Sequence, residues 1–428
     1  MVTGHPKARP LPKFVVEGGV PLAGVVRIKG AKNAALPILA ATLLSSEEIA
    51  LKEVPPLEDI RTMSHLLRQL GVEVHADAKK DGYYIRADRL QSFTAPPGPV
   101  RCMRASFLVA GPLLARLGRV RISRPGGCAI GTRPIDLHLK GLQALGAEFS
   151  LDEGYLTLEA RRLQGEQIYL DFPSVGATEN IMMAACLAEG TTLLENAAAE
   201  PEVVDLANFL NSLGAKVFGA GTPLIRIEGV NTLKGGSHAV IPDRIEAGTF
   251  MLAAAITGGS VVLKNILAEH LKPLTAKLKE AGVQVKELQG EEILVKAQQR
   301  PLAVDIKTLP YPGFPTDIQP QAMAFLSIAQ GASMVSETVF EKRFRHAEEL
   351  SRMGADIKIQ GRTAVIKGQE YLRGAVVKAP DLRAAAALTL AGLAARGTSR
   401  VFGLQHLDRG YAAFEERLQQ LGARIWRL

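Results

Sequence analysis

The chain has 428 residues, of which 47% are apolar, 22% charged and 5% aromatic, a composition that excludes a disordered protein and predicts two or three globular domains. Its net charge of +8 favours a phosphate-rich partner, and because lysine runs are absent and aromatic residues are few, we expect a small molecule and no nucleic acid. The apolar runs, such as 384–395, are shorter than the ~20 residues of a membrane span, so none is expected.

The N-terminal stretch MVTGHPKARPLPK is basic and proline-rich and has no apolar segment typical of a secretory signal. We expect residues 1–12 to form a flexible tail of a cytoplasmic protein. Cys102, Cys128 and Cys186 are odd in number and lack metal-ligand spacing, which argues against disulfides and a zinc site. Apolar surroundings favour burial of Cys102 and Cys186. No dinucleotide, P-loop or zinc-protease motif occurs, so no metal, cofactor or obligatory protein partner is expected.

A glycine that ends an amphipathic stretch and precedes a strand-like one recurs along the chain. It occurs six times, at intervals of 68 to 75 residues, as Gly71, Gly146, Gly214, Gly282, Gly354 and Gly422. A nearly constant period predicts an internally repeated fold. Glycine suits the position because a helix often ends with a residue in the left-handed conformation.

Around each glycine the same order recurs: a strand, an apolar helix, a strand, an amphipathic helix and two further strands. The six apolar helices begin near Lys32, Arg104, Ala177, Ile245, Asp317 and Leu382. They are apolar on all faces and are therefore expected to be buried. The sixth unit lacks a strand, and KFVVEG at the N-terminus is a strand without a unit, so we expect it to complete the sixth.

This pattern predicts an α/β protein of six βαβαββ-type units, three in each of two domains. One domain comprises residues 13–28 and 242–428, and the other residues 29–241. The chain then crosses twice between the domains, near 24–32 and 229–244.

Two polar segments of the first half are candidates for chemistry. Lys32 and Asn33 begin an apolar helix, where free amides and the helix dipole attract anions. A solvated lysine is the alternative. Cys128 and Arg133 lie in SRPGGCAIGTRPIDLH, whose three glycines predict a mobile loop. The Cys128 thiol is there either reactive beside guanidinium groups or a small buried apolar group.

Three polar segments of the second half are also candidates. Asp317 in YPGFPTDIQPQ could cap the following helix, with Thr316 as the competing cap, and could equally act as a general base. Arg343 in FEKRFRH and Arg409 in HLDRGY lie in polar loops of the fifth and sixth units. Such arginines are either solvated or bind phosphate and carboxylate groups through two parallel hydrogen bonds.

From Lys13 to Leu428 the chain resembles the enolpyruvyl transferase family. The resemblance lies in the ordered motifs GAKNAALP, MRAS, GGCAIGTRPIDLH, SVGAT, AAAEPEVVD, PDRIEAGTF, YPGFPTD, FEKRFRH, DLRA and HLDRGY. It implies a two-domain inside-out α/β barrel, with helices inside, sheets outside and the active site in the interdomain cleft. The glycine-rich Cys128 loop would be the lid of that cleft.

The resemblance is strongest to family members that transfer the enolpyruvyl group of phosphoenolpyruvate to the 3′-hydroxyl of UDP-N-acetylglucosamine. This reaction releases phosphate through a tetrahedral intermediate and begins peptidoglycan precursor synthesis. It implies that Cys128 protonates carbon 3 and can attack carbon 2, while Asp317 takes the hydroxyl proton. Lys32, Arg133 and Arg409, beside Asn33, would neutralise phosphoenolpyruvate.

The same resemblance assigns a second set of positions to the UDP-sugar, with Arg343 and Arg383 in supporting roles. These positions are Arg104, Arg133, Pro134, Ile135, Asp136, Leu137, Ser174, Val175, Gly176, Asp317 and Val339. Three alternatives stay open: a transferase that acts on shikimate 3-phosphate, a non-catalytic protein that binds nucleotide sugar, and a nucleic-acid-binding protein. The Cys128 loop and the UDP-sugar motifs argue against the first, and the retained functional residues against the second.

Overall fold

The structure, a computed structural model, describes residues 12–77, 82–126, 130–131 and 135–428. Short strands alternate with helices throughout these ranges. In chain order the strands are β1 Lys13–Glu17, β2 Ala23–Arg27, β3 Glu48–Lys52, β4 Glu73–Asp77, β5 Gly82–Arg86, β6 Thr94–Ala95, β7 Arg119–Ser123, β8 Glu148–Asp152, β9 Tyr155–Glu159, β10 Gln167–Tyr169, β11 Thr191–Glu195, β12 Lys216–Phe218, β13 Leu224–Glu228, β14 Gly236–Ala239, β15 Ser260–Lys264, β16 Gln284–Leu288, β17 Glu292–Lys296, β18 Ile306–Lys307, β19 Ala332–Ser336, β20 Asp356–Gln360, β21 Thr363–Lys367, β22 Val376–Lys378, β23 Thr398–Phe402 and β24 Arg424–Arg427.

The helices lie between these strands, and none in the described ranges is long and apolar enough to cross a bilayer. They are α1 Lys32–Ala41, α2 Glu58–Gln69, α3 Pro97–Cys102, α4 Ala110–Leu117, α5 Asp136–Ala144, α6 Val175–Ala185, α7 Pro201–Ser212, α8 Arg244–Ile256, α9 Lys272–Glu280, α10 Gln319–Leu326, α11 Ala347–Arg352, α12 Leu382–Ala394, α13 Leu404–Leu407 and α14 Phe414–Gln420. Short 3₁₀ helices cover Thr42–Leu44, Arg104–Val109, Ala268–Leu271 and Arg343–His346.

The described strands form six four-stranded sheets with one shared pattern. In each sheet one edge strand runs parallel to its neighbour, and the other neighbouring strands are antiparallel. The parallel edge strand stands first in the orders that follow. The strand orders are β14-β3-β5-β4, β6-β7-β9-β8, β10-β11-β13-β12, β2-β15-β17-β16, β18-β19-β21-β20 and β22-β23-β1-β24. The predicted α/β fold of six repeated units is confirmed.

The N-terminal strand β1 lies inside the sixth sheet, antiparallel to both of its neighbours. Val15 pairs with Arg400 of β23 on one side and with Trp426 of β24 on the other. It therefore supplies the strand that the last unit lacks, as the sequence predicts. Residues 1–11 of the predicted tail lie outside the described residues.

The chain passes between the two halves where residues 28–31 lie beside residues 240–243. A bridge joins Gly30 to Pro242, and the amide of Asp243 donates to the carbonyl of Lys29 at 2.9 Å. Asp243 also caps α8, because its Oδ1 accepts hydrogen bonds from the amides of Ile245 and Glu246. Its Oδ2 accepts from the amide of Lys32, the first residue of α1, at 3.2 Å. One carboxylate thus fixes the start of a buried helix in each half.

The buried apolar residues form two separate cores. One draws its residues from 31–240 and the other from 14–28 together with 245–425. Three apolar helices pack together in each core: α1, α4 and α6 in the first, and α8, α10 and α12 in the second. Strands such as β23 alternate buried and exposed side chains, so one face of each covers these helices. The predicted domains, residues 29–241 and residues 13–28 with 242–428, are consistent with this division, and their boundaries stay a prediction.

The apolar helix predicted from Arg104 differs from the prediction. The chain forms a 3₁₀ helix over Arg104–Val109, and the α-helix starts only at Ala110. Pro112 explains the difference, because in a continuous α-helix its ring would collide with the carbonyl of Leu108. Arg104 is therefore the first residue of a 3₁₀ helix and is half-buried.

Candidate active site

Lys32 is buried at the start of α1, with a side chain only 11% exposed. Its Nζ donates to Oδ2 of Asp59 at 3.3 Å. Burial lowers the pKa of Lys32, and the nearby carboxylates of Asp59 and Asp317 oppose this shift. The solvated alternative for Lys32 is therefore wrong, and its ammonium is a fixed charge in a dry place.

Asp59 joins Lys32 to a second cation, which comes from the other half of the chain. Asp59 lies in the first turn of α2 and is 4% exposed. Its Oδ1 accepts a hydrogen bond of 2.8 Å from Nε of Arg409, in the loop between α13 and α14. Sequence analysis missed Asp59, because an acid in the first turn of an amphipathic helix has an ordinary explanation in the helix dipole.

Asp317 lies between two buried arginines of the second half. Its Oδ1 accepts from Nη2 of Arg343 and its Oδ2 from Nη2 of Arg383, both at 2.7 Å. Burial acts to raise the pKa of Asp317, but the two guanidinium groups outweigh it and hold that pKa well below its usual range. The predicted capping role is wrong for both Asp317 and Thr316, since α10 starts after Ile318 with no side-chain cap.

The two clusters are near enough to interact, since the charges of Asp317 and Arg383 both act on Lys32. Together these described residues bring four cations to two carboxylates. The cations are Lys32, Arg343, Arg383 and Arg409, and the carboxylates are Asp59 and Asp317. The buried carboxylate of Asp243 also acts on Arg383, so the cations are partly balanced by protein acids. Several cations fixed in one buried place nevertheless suit an anionic ligand.

A buried hydrogen-bond network holds the side chain of Arg383 in place. Its Nη1 donates to the hydroxyl of Tyr411 at 3.4 Å, and Gln321 Nε2 donates to the same oxygen at 3.2 Å. Thr249 Oγ1 lies 2.8 Å from that hydroxyl. Thr249, Gln321 and Arg383 come from α8, α10 and α12, so the phenol of Tyr411 joins the N-terminal halves of the three central helices.

Glu337 holds the segment that contains Val339. Its Oε1 accepts from the amides of Val339 and Phe340 at 2.8 and 3.0 Å, while its Oε2 accepts from Thr316 Oγ1 at 3.0 Å. Glu337 is 1% exposed. The segment around Val339 is therefore fixed against the turn that carries Asp317.

The positions predicted to hold the UDP-sugar lie mostly where helices begin. Ile135 precedes α5, Asp136 and Leu137 are its first residues, Ser174 caps α6 and Val175 and Gly176 open it. Free amides and the dipole at helix starts favour phosphate groups. Asn33 is half-buried beside Lys32.

Three of the predicted site residues, Cys128, Arg133 and Pro134, lie outside the described residues, and their roles stay predictions. The flanking segment contacts the second half, where the amide of Lys342 donates to the carbonyl of Ile130 at 3.0 Å.

The other two cysteines differ from each other. Cys186 is buried, as predicted, and burial raises the pKa of its thiol to about 12. The prediction for Cys102 is wrong, because this residue is exposed at the end of α3. The Cys186 thiol is therefore a poor nucleophile, whereas that of Cys102 is accessible.

Known proteins resemble this chain over nearly its full length. The sequence family described as EPSP synthase (3-phosphoshikimate 1-carboxyvinyltransferase) matches residues 16–418. UDP-N-acetylglucosamine 1-carboxyvinyltransferase 1 of Caldanaerobacter subterraneus subsp. tengcongensis is 57% identical over 415 residues, which cover 97% of this chain and 99% of that protein. UDP-N-acetylglucosamine 1-carboxyvinyltransferase 2 of Carboxydothermus hydrogenoformans is 58% identical over 417 residues, with the same coverage.

Solved structures agree with these sequence matches. The enolpyruvyl transferase NikO from Streptomyces tendae has a TM-score of 0.89 at 25% identity and covers 97% of this chain and 99% of its own. An EPSP synthase from Acinetobacter baumannii shares the fold, with a TM-score of 0.75 at 19% identity over 98% of this chain and 100% of its own. The fold is thus that of an enolpyruvyl transferase. The chain belongs to the enolpyruvyl transferase family, among the UDP-N-acetylglucosamine 1-carboxyvinyltransferases.

Proposed function

We propose that this protein transfers the enolpyruvyl group of phosphoenolpyruvate to the 3′-hydroxyl of UDP-N-acetylglucosamine in the cytoplasm and releases phosphate. This is the first committed step of peptidoglycan precursor synthesis. The observation that carries the proposal is the pairing of two clusters: Asp317 between Arg343 and Arg383, and Asp59 between Lys32 and Arg409.

Phosphoenolpyruvate would bind at the cations that Asp59 holds. It carries close to three negative charges, which a dry cleft must neutralise with fixed cations. Lys32 and Arg409 supply two such charges from opposite halves of the chain. Arg133 and Asn33 complete this anion site in the proposal.

The UDP-sugar would lie along the starts of α5 and α6, beside Arg104. Amides at these two helix starts offer hydrogen bonds to the diphosphate, and the helix dipoles add favourable charge. Val339 and Asp317 then lie toward the sugar, with the reactive hydroxyl directed at Asp317.

In the addition step, the 3′-oxygen bonds to carbon 2 of phosphoenolpyruvate and its proton passes to Asp317. Carbon 3 takes a proton from the Cys128 thiol, so the carbon–carbon double bond becomes single. In the elimination step carbon 3 returns a proton to the Cys128 thiolate, the carbon–carbon double bond forms again, the bond from carbon 2 to the phosphate oxygen breaks, and phosphate leaves. Asp317 is ionised and can therefore accept a proton, although Arg343 and Arg383 lower its pKa and weaken it as a base.

Phosphate release with each acceptor tests the proposal. The purified protein is mixed with phosphoenolpyruvate and either UDP-N-acetylglucosamine or shikimate 3-phosphate. Release with the UDP-sugar alone supports the proposal, and release with the shikimate alone assigns a different acceptor. Silence with both would leave only a binding function.

A cysteine pair tests the proposed acid. Cys128→Ala should abolish phosphate release, because carbon 3 loses its proton donor, and should leave calorimetric binding of the UDP-sugar unchanged. Cys102→Ala removes an exposed thiol that has no part in the proposed reaction, and should release phosphate at the normal rate. Equal turnover in the two variants would remove Cys128 from the proposed role.

A further inference from the structure

We propose that Asp59 is a positioning residue that holds Lys32 and Arg409 ready for the anionic substrate. The inference rests on the proposed function and adds a residue to it. Asp59 touches no reacting atom in this scheme, and its effect passes through the two cations.

The carboxylate of Asp59 uses both of its oxygens for this purpose. Oδ1 accepts the 2.8 Å hydrogen bond from Nε of Arg409, and Oδ2 receives Nζ of Lys32 at 3.3 Å and Nη2 of Arg409 at 3.5 Å. With Asp59 only 4% exposed, water cannot replace these contacts freely. The two cations are therefore held within reach of one small anion.

Backbone contact reinforces this arrangement. The amide of Glu58, next to Asp59, donates to the carbonyl of Asp408 at 3.1 Å. The first turn of α2 thus binds the loop that carries Arg409 through both side chain and main chain. Asp59 therefore joins the two halves of the chain at the point where phosphoenolpyruvate would bind.

The charges that surround Lys32 come from four different segments. Asp59 from α2 and Asp317, which precedes α10, favour the ammonium form, whereas Arg383 from α12 and Arg409 disfavour it. The charge of Asp59 raises the pKa of Lys32 more than the charge of Asp317 does. Without its charge, burial and the arginines would act on Lys32 with less opposition, and the lysine would lose its proton at lower pH.

An entering phosphate or carboxylate group competes with Asp59 for the same N–H donors. The donors are already directed to one place, so binding needs little further ordering of two long side chains. Loss of Asp59 should therefore weaken the binding of phosphoenolpyruvate more than the binding of the UDP-sugar.

The test compares Asp59→Asn with the unchanged enzyme in steady-state kinetics across pH. We expect KM for phosphoenolpyruvate to rise about 10-fold to 100-fold, the effect of losing a charged hydrogen bond. KM for UDP-N-acetylglucosamine should stay within about 3-fold, a difference below 1 kcal/mol. The alkaline limb of kcat/KM for phosphoenolpyruvate should move to lower pH, because Lys32 loses its proton more readily without the Asp59 charge.

Glu58→Gln is the matched control. Glu58 is the adjacent residue, and its side chain pairs with exposed Arg61 at 3.2 Å, away from the cations. Its kinetics and pH profile should equal those of the unchanged enzyme. If the unchanged enzyme releases no phosphate, the proposed function fails. If it is active and Asp59→Asn raises both KM values alike with an unmoved alkaline limb, or changes neither, the inference is overturned.

A second variant covers the case in which Asp59→Asn does not fold, as judged by circular dichroism. Asp59→Glu keeps the charge and displaces it by one methylene. It should raise KM for phosphoenolpyruvate while the alkaline limb stays in place. An unchanged KM for phosphoenolpyruvate in this variant would overturn the positioning role.

Discussion

Asp317 must be held in place as a carboxylate and must also accept a proton, and these two requirements oppose each other. Arg343 and Arg383 keep its carboxylate ionised and fixed, but they also weaken it as a base. Asp317→Asn keeps the shape and removes the charge. Phosphate release should fall at least about 100-fold, the usual contribution of a general base, while calorimetric binding of the UDP-sugar persists. Asp171→Asn, an exposed partner of Lys140, is the control, and equal turnover in the two variants would contradict the base role.

Glu179 is a buried acid in α6 without a hydrogen-bond partner for Oε1. Burial, and then the charges of Glu202 and Glu200, raise its pKa well above the ordinary value of 4.5. Between the ordinary and the raised pKa, the folded protein therefore binds more protons than the unfolded chain. Its contribution to stability is consequently favourable at low pH and is lost as pH rises above about 4.5.

Glu179→Gln removes this titration and should flatten the dependence of stability on pH. As pH rises from 4.5, the free energy of unfolding of the variant should increase relative to that of the unchanged protein. The increase should be up to about 1.4 kcal/mol for each unit by which the pKa of Glu179 is raised. Urea unfolding at several pH values measures the difference. Glu148→Gln, on the exposed strand β8, should follow the unchanged protein at every pH. A constant offset for Glu179→Gln would show that Glu179 does not titrate differently on folding.

Residues were predictable from sequence where their surroundings are local. Lys32 at a helix start is an example, since a helix and its first residue are read from one segment. The partners of Asp317 lie 26 and 66 residues away, and they compete successfully against the nearby helix amides that predicted a cap. Asp59 could not be singled out, because its importance depends on Arg409, which lies 350 residues further along the chain.

At the scale of the element, each of the six repeated helices ends at a glycine in the left-handed backbone conformation, which is a local requirement. The six glycines of the repeat all have positive φ, between 85° and 97°, as the helix-ending pattern predicts. What the pattern does not give is the space around each glycine. A Cβ at Gly71 would lie 2.7 Å from the carbonyl oxygen of Arg89, whereas one at Gly214 would meet nothing within 4 Å.

This difference makes Gly71 and Gly214 a matched pair, since both have φ of 97° and both lie in the first half. Gly214→Ala should lower the free energy of unfolding by about 1 kcal/mol, the cost of a left-handed alanine. Gly71→Ala should lower it by about 1 to 3 kcal/mol more, because backbone atoms must move. Urea titration of both variants measures the gap. Equal losses would mean that the Arg89 segment yields without cost.

At the scale of the whole molecule, the buried apolar residues form two separate cores, and polar contacts connect one core to the other. Arg409 bonds to Asp59, the amide of Tyr311 donates to Glu200 Oε1 at 3.4 Å, and Arg244 bonds to Glu202. Polar contacts of this kind can be exchanged for contacts with a charged substrate. Ion pairs between the two cores therefore suit a reaction whose substrates are anions.

The pair of Arg244 and Glu202 tests this view of the whole molecule. Arg244 opens α8 in the second core, and its Nε and Nη2 donate to the two oxygens of Glu202 in α7 at 3.0 and 3.1 Å. Arg244→Gln leaves a carboxylate that is 3% exposed without its counter-charge, which should cost about 3 to 5 kcal/mol. The double variant with Glu202→Gln removes both charges and should regain much of that loss.

Thermal unfolding measures the stability of these variants, and small-angle scattering measures whether the two halves separate. Arg244→Gln should increase the radius of gyration, and the double variant should lie closer to the unchanged protein. Arg226→Gln breaks an exposed pair with Glu228 inside one strand, and should change stability by less than about 1 kcal/mol with no change in radius. A stability loss in Arg244→Gln without expansion would place the ion pair in local packing. The two cores would then be held together by other contacts, of which the one between Asp59 and Arg409 is the first to examine.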